Sequence, residues 1–217
     1  MVGITDQIPT LDTERLLWAE GYRLVVGLDE VGRGAWAGPV FAAAVIFPVG
    51  TVETDSCLCQ VRDSKQLSHE RRCELAGPIA EMAVAAGLGQ VSHEEVDRVG
   101  IVAATRLAMM AALENLGVCP DYLLIDAMQL PLVSLPQQGI IKGDTICLSI
   151  AAASIVAKVA RDRLCEDLDR QYPGYGFACH KGYGTAQHRQ AIAALGVSPI
   201  HRLSYRPLRE MLDMQEM

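Results

Sequence analysis

The chain has 217 residues, with 19 Lys and Arg against 26 Asp and Glu for a formal net charge of −7, and half of its residues are apolar. That composition excludes a disordered chain, and the acidic total excludes a protein that coats nucleic acid or an anionic membrane through bulk charge. At this length one domain buries roughly 70–75% of the surface its unfolded chain exposes, so a single core with an appendage is expected.

In chain order, residues 11–21 predict a short amphipathic helix closed by glycine. RLVVGL (23–28) and PVFAAAVIF (39–47) predict two strands joined by a glycine-rich connection, the second strand buried on both faces. Residues 50–68 are polar and loop-like, 69–86 have helical spacing, and 87–91 predict a short strand. Ser92 with Glu95 three residues on forms a capping box, opening a helix that runs to Leu116. YLLI (122–125) predicts a buried strand ending in Asp126, and GIIKG (139–143) a further short stretch. Residues 148–172 predict a long helix whose Ala and Ser let it lie close to a sheet, and two short helices follow Pro173. Strands alternating with helices indicate an α/β fold. No apolar run approaches the roughly 18 residues of a membrane span, and MVGITDQIPT has neither a basic start nor an apolar segment, so a soluble cytoplasmic protein is expected. The seven scattered cysteines contain no C-x-x-C pair and are expected to be reduced and mostly buried.

Four carboxylates stand where apolar stretches end. Asp29 and Glu30 follow RLVVGL, Asp126 follows YLLI, and Asp144 follows GIIKG. A carboxylate at the end of a buried strand is costly unless paired, hydrogen-bonded or bound to a metal. Gathered at one sheet edge, several would need a divalent cation, and hard oxygen donors suit Mg2+ or Mn2+, which in pairs support in-line displacement at phosphorus. A cap or turn accounts for Asp126 alone equally well. Asp29 and Glu30 can share a site only if the strand bends or ends there, since neighbours alternate faces. Gly32-Arg33-Gly34 reads either as a tight turn or as a loop that brings backbone N–H groups and a guanidinium close to a phosphate or sugar; without G-K-[ST] it is no P-loop.

GLDEVGRGAWAGPV (27–40) closely resembles the N-terminal signature of the type 2 ribonucleases H, the ribonuclease HII family. DSKQLS (63–68), LID (124–126), KGD (142–144), SIAAASIVAKVARDR (149–163), HKGYGTAQH (180–188) and HRLSYRP (201–207) continue the resemblance in family order. The resemblance implies an RNase H-like mixed sheet flanked by helices, with residues 1–172 as catalytic domain and 173–217 as a small helical extension that packs on it and contacts substrate. It implies an endonuclease that uses Mn2+ or Mg2+, two ions per site during catalysis, on RNA–DNA hybrids and on single ribonucleotides embedded in duplex DNA, and so a part in removing ribonucleotides from DNA. The expected cut lies 5′ of the ribonucleotide, leaving a 3′-hydroxyl and a 5′-phosphate. By motif position Asp29, Glu30, Asp126 and Asp144 are the catalytic metal carboxylates. Gly32, Arg33 and Gly34 match the element that contacts the 2′-hydroxyl, Tyr183 the tyrosine packing on the next deoxyribose, and Lys65 a position near the nucleic-acid backbone. Gln66, Leu203 and Tyr205 depart from the usual Lys, Arg and Phe, which leaves a phosphate-binding role of 201–206 open. A monomer is expected, and a sliding-clamp contact through the tail after Pro207 stays open.

The four carboxylates alone also permit another metal nuclease of the same fold, a junction resolvase or exonuclease, and the basic C-terminal stretch permits a non-catalytic nucleic-acid-binding module. Residues 1–138 hold 9 basic and 18 acidic side chains, whereas 139–217 hold 10 and 8. From Arg170 to Arg209 six basic residues and no acidic one interleave with aromatics, a mixture suited to a nucleic-acid-facing surface. Lys158 and Arg161 are expected on a solvated helix face, Asp162 in a surface ion pair with Arg161, Tyr172 and Tyr175 in packing, and His180, His188 and His201 in hydrogen bonding or contact with substrate phosphates rather than on a metal.

Overall fold

In the computed structural model, which describes residues 8–54 and 57–213, the apolar runs form β1 (Val25–Val31), β2 (Val40–Ile46), β3 (Ala85–Val91), β4 (Tyr122–Asp126) and β5 (Gln137–Ile140). These make one sheet in the order β3-β2-β1-β4-β5, antiparallel at β3-β2 and β2-β1 and parallel at β1-β4 and β4-β5. The helices are α1 (Asp12–Ala19), α2 (His69–Met82), α3 (His93–Val99), α4 (Ile101–Glu114), α5 (Leu148–Gln171), α6 (Phe177–His180), α7 (Ala186–Leu195) and α8 (Arg206–Asp213). The N-terminal residues 1–7, residues 55 and 56 of the predicted loop, and the last four residues of the tail lie outside the described residues.

Strand alternation builds the layers. On β2, Ala43 and Val45 pack with α5, α2 and α1, while Val40, Ala42, Ala44 and Ile46 pack with α4. The long α5 lies directly on β1: a Cβ at Gly27 would sit 2.2 Å from the Ser149 backbone carbon, so that strand position has no room for a side chain. Its buried Ala151, Ala152, Ala153 and Ala157 keep the layers close. The α/β mixed-sheet expectation is met, and among the described residues no helix is long and apolar enough to cross a membrane.

Several boundaries differ from the sequence reading. The helix read over 69–86 stops at Met82, because Ala85 enters the sheet opposite Ile46. The helix read from 92 to 116 is two, broken at Gly100 with φ +80. Among the described residues three helices follow Pro173 instead of two. The cysteines form no disulfide among the described residues, yet only Cys147 and Cys165 are buried; Cys59, Cys119 and Cys179 are exposed.

Residues after Pro173 pack on Trp36 and Ala37 through Tyr175, Phe177, Ile192, Ile200 and Leu208. Within this small core lie three histidines, each with both ring nitrogens engaged. The pattern is satisfied when all are neutral. His180 Nε2 donates to Tyr175 O (2.7 Å) and Nδ1 accepts from Gly182 N (3.2 Å). His188 Nδ1 donates to Tyr183 O (3.1 Å), and its Nε2 accepts from His201 Nε2 (3.0 Å), whose Nδ1 accepts from Ser198 N (2.8 Å). A proton on His188 or His201 would set donor against donor. Burial, with neighbouring imidazoles adding to it, depresses both to about 4. Their stabilisation is therefore complete above the unfolded value near 6.5 and lost as pH falls toward 4. Acidification from pH 7 to pH 5 is expected to lower the melting temperature, and His188→Gln to flatten that dependence; calorimetry at both pH values checks this, and an equally steep dependence in the variant contradicts it.

Candidate active site

Parallel pairing of β1 and β4 places Leu28 beside Ile125, so the next residues, Asp29 and Asp126, meet at the C-terminal ends of the two strands. Open α/β sheets bind ligands in this crevice. Glu30 lies on the opposite side of β1 by alternation, but the strand ends one residue later and its longer side chain reaches the same place. One oxygen each from Asp29, Glu30 and Asp126 lies within 4.8 Å of the others. Asp144 is not in that cluster. It sits 5% exposed on the turn Gly143–Thr145, whose Gly143 N–H donates to Asp126 Oδ1 (2.7 Å).

Crowding of these acids shows in their proton affinities. Burial, then the Glu30 and Asp126 charges, raises the Asp29 carboxyl well above the usual range, against hydrogen bonds from Ser154 and the Glu30 N–H. Burial also raises Asp126, opposed by Gly143 N–H. Glu30 Oε2 is buried with no partner. An all-oxygen donor set with an orphaned buried oxygen and mutually repelling charges fits a hard divalent cation. Two nearby cations offset part of the charge: Arg33 Nη1 lies 3.1 Å from Glu30 Oε1, and Lys65 Nζ lies 3.2 Å from Asp144 Oδ2.

Gly32 turns the chain at φ +93, a conformation open to glycine, and a Cβ there would stand 2.2 Å from Arg161 Nε. The carbonyls of this turn face inward. Arg202, fully buried, donates through Nη1 to Gly32 O (2.8 Å) and Arg33 O (3.0 Å) and through Nε to Gly38 O (2.9 Å), and Tyr205 Oη donates to Arg33 O (2.5 Å). The Arg33 and Gly34 N–H groups have no protein partner among the described residues, so they are available to an acceptor. Tyr183 closes the side of the pocket: Ala35 and Tyr183 pair as an isolated bridge, and a Cβ on Gly34 would meet Tyr183 Cε1 at 3.8 Å.

The resulting cavity, about 220 Å³, brings together Asp29, Glu30, Asp126, Gly32, Arg33, Gly34, Lys65 and Tyr183. Asp144 reaches it through Lys65 and the Gly143 turn. Ser64 and Ser154 also line it, their hydroxyls 2.8 Å apart, and the sequence reading passed over both. Ser154 falls on the helix face turned to the sheet, a periodicity that could have singled it out. Two expectations are corrected. Arg161 is 1% exposed and lies over the Tyr183 ring at 5.5 Å, because the glycine turn and α6 cover that part of α5. Lys158 lines the cavity and Asp162 is buried, paired with Lys158 (2.6 Å) instead of Arg161. His180, His188 and His201 take the hydrogen-bonding alternative, enclosed in the C-terminal core, and the segment from His201 to Arg206 holds the glycine turn. Tyr175 packs as expected, stacked on Phe177.

The family model of Ribonuclease HII matches residues 26–207. The ribonuclease HII of Dehalococcoides mccartyi strain BAV1 is 52% identical over 205 residues, 94% of this chain and 96% of the relative. Among solved structures, ribonuclease H2 from Pyrococcus horikoshii OT3 superposes with a TM-score of 0.74 at 23% identity, covering 88% of this chain and 98% of that one. Bst-RNase HIII, solved in complex with Mn2+, superposes at 0.65 with 21% identity over 89% and 70% of the two chains.

Proposed function

The chain belongs to the ribonuclease HII family, and from that premise we propose that Asp29, Glu30 and Asp126, with Asp144 beside them, are the carboxylates through which it cuts. It is a metal-dependent endonuclease of the ribonuclease H type, acting on RNA–DNA hybrids. The finer reading is a single nick 5′ of a ribonucleotide embedded in duplex DNA. Convergence of three carboxylates beside the Gly32–Gly34 turn is the observation that carries it.

When bound, Mg2+ or Mn2+ makes water nucleophilic near neutral pH and stabilises charge on the leaving oxygen. Asp29, Glu30 and Asp126 would hold the cations, with Asp29 between the other two, and Asp144 would help to hold them or orient water. The free Arg33 and Gly34 amides read the 2′-hydroxyl, the one group distinguishing RNA from DNA at a given sugar, without regard to base. Tyr183 packs against the following deoxyribose, and Arg33 and Lys65 would supply positive charge for the backbone phosphates. We assign 1–172 to catalysis and 173–217 to an extension whose own apolar core buttresses the glycine turn. The protein acts as a monomer on this reading. A clamp contact after Pro207 would draw partly on residues outside those described.

Three duplexes of one sequence test the proposal: an RNA–DNA hybrid, a DNA duplex with one ribonucleotide, and DNA alone. Cleavage of the first, one nick in the second and none in the third are expected. Cutting of the all-DNA duplex would point to a resolvase or exonuclease, and binding without cleavage in either metal to a non-catalytic module.

A further inference from the structure

Behind the active-site cavity, on the far side of Lys158, α2, α5 and the end of α6 enclose a second polar cleft of about 390 Å³. Its floor is Asp162, whose side chain is 2% exposed and is ringed by Lys158 Nζ at 2.6 Å, Arg72 Nη2 at 3.6 Å and His69 Nδ1 at 3.7 Å. Lys181 closes one side, its Nζ 3.2 Å from Glu166 Oε1 and 3.3 Å from the Asp162 carbonyl. A buried carboxylate normally needs one cation; here the cleft gathers more than its acids require. Arg72, Lys158 and Lys181 carry three positive charges against two negative charges on Asp162 and Glu166. Burial, with the neighbouring Arg72 and Arg161 guanidinium groups adding to it, depresses Lys158 despite its bond to Asp162. Arg72 Nε is buried with no partner, while Arg72 Nη1 donates to Ser64 O (2.8 Å) and Leu67 O (2.6 Å), tying the cleft to the Lys65 loop.

We propose that this cleft is a subsite for one backbone phosphate of the substrate strand, flanking the scissile one, with Lys181, Lys158 and Arg72 as its donors. The surplus of one positive charge matches the single negative charge of a phosphodiester. Lys158 lines both cavities, so the cleft adjoins the site of the scissile phosphate at Asp29 and Asp126 across a single side chain. Asp162 offsets the mutual repulsion of the cations, and Glu166, 44% exposed, has room to swing away. The inference rests on the nuclease reading above.

Cleavage of a duplex with one ribonucleotide is measured with uncharged methylphosphonates introduced singly at positions flanking the cut, using the wild type, Lys181→Gln and Lys181→Arg. In the wild type, one flanking position lowers kcat/KM about tenfold. Lys181→Gln raises KM for the unmodified duplex by a similar factor at unchanged kcat, removes the effect of that methylphosphonate, and reduces the slope of log KM against log salt by about 0.9, the value of one phosphate contact. Lys181→Arg restores wild-type behaviour. An unchanged salt slope in Lys181→Gln, or a methylphosphonate loss that multiplies with the substitution instead of overlapping it, overturns the subsite. Failure of the wild type to cut the unmodified duplex would instead overturn the nuclease reading.

Discussion

Asp29→Asn is expected to lower Mg2+-dependent cleavage by on the order of a thousandfold or more, the scale of losing a group whose interaction is made at the reacting phosphate. The same change should leave the fold intact and make the metal-free protein more stable. Asp29 is 4% exposed and faces the Glu30 and Asp126 charges, so its carboxylate is a strained group without a cation. Each kcal/mol relieved raises the melting temperature by about 2–4 °C for a chain of this size. Divalent cation stabilises the wild type through linkage, about 2.7 kcal/mol at a hundred times its dissociation constant, and the variant should lose most of that gain. The pH dependence runs opposite to that of the histidines. A carboxyl whose folded value is raised binds its proton more tightly when folded, so without metal this site costs stability as pH rises above the ordinary carboxylate range. Thermal melts of both proteins with and without Mg2+, beside cleavage rates, check the assignment; a variant that melts lower in the absence of metal and keeps its Mg2+ response contradicts it.

Gly32→Ala is expected to damage both stability and cleavage. At φ +93 a side chain costs roughly 1–3 kcal/mol, and the new Cβ would collide with Arg161, which has no space to retreat at 1% exposure. The turn would shift, drawing the Arg33 and Gly34 amides away from the sugar, with a loss of at least about a hundredfold in cleavage. Gly34→Ala separates the two effects. Its Cβ meets Tyr183 at ordinary contact distance, so melting should barely change while a methyl group enters the space for the ribose and cleavage falls. Equal melting temperatures for Gly32→Ala and the wild type would show that the turn is not fixed from behind as described.

Much of this centre was legible because its signals are local. RLVVGL followed at once by two acids states a strand and a costly strand end in eight residues, and YLLID repeats the statement. Parallel pairing then brings the ends together. Glu30 was harder, since alternation sends it away from Asp29 and only the early end of β1 returns it. Arg161 and Asp162 were misplaced for a different reason: spacing on an Ala-rich helix marks a polar face, but not that α2, α6 and the glycine turn will cover it. The role of Arg202 could not be read locally at all, because its partner Gly32 lies 170 residues away in the chain. Tyr205, standing where Phe is usual in the family pattern, adds a hydroxyl that holds the same turn from the C-terminal side.

The acidic total that opened the sequence also acquires a location. Carboxylates gather at the strand ends, while Arg33, Lys65 and Lys158 line the same cavity. The most direct measurement is cleavage of an end-labelled DNA duplex carrying one ribonucleotide, in Mg2+ and in EDTA, with both product ends identified. A metal centre at Asp29, Glu30 and Asp126 reading the sugar through the glycine turn gives one cut on the 5′ side of the ribonucleotide, a 3′-hydroxyl and a 5′-phosphate, and no cut in EDTA. Cleavage that persists in EDTA, or ends carrying a 2′,3′-cyclic phosphate, would contradict it.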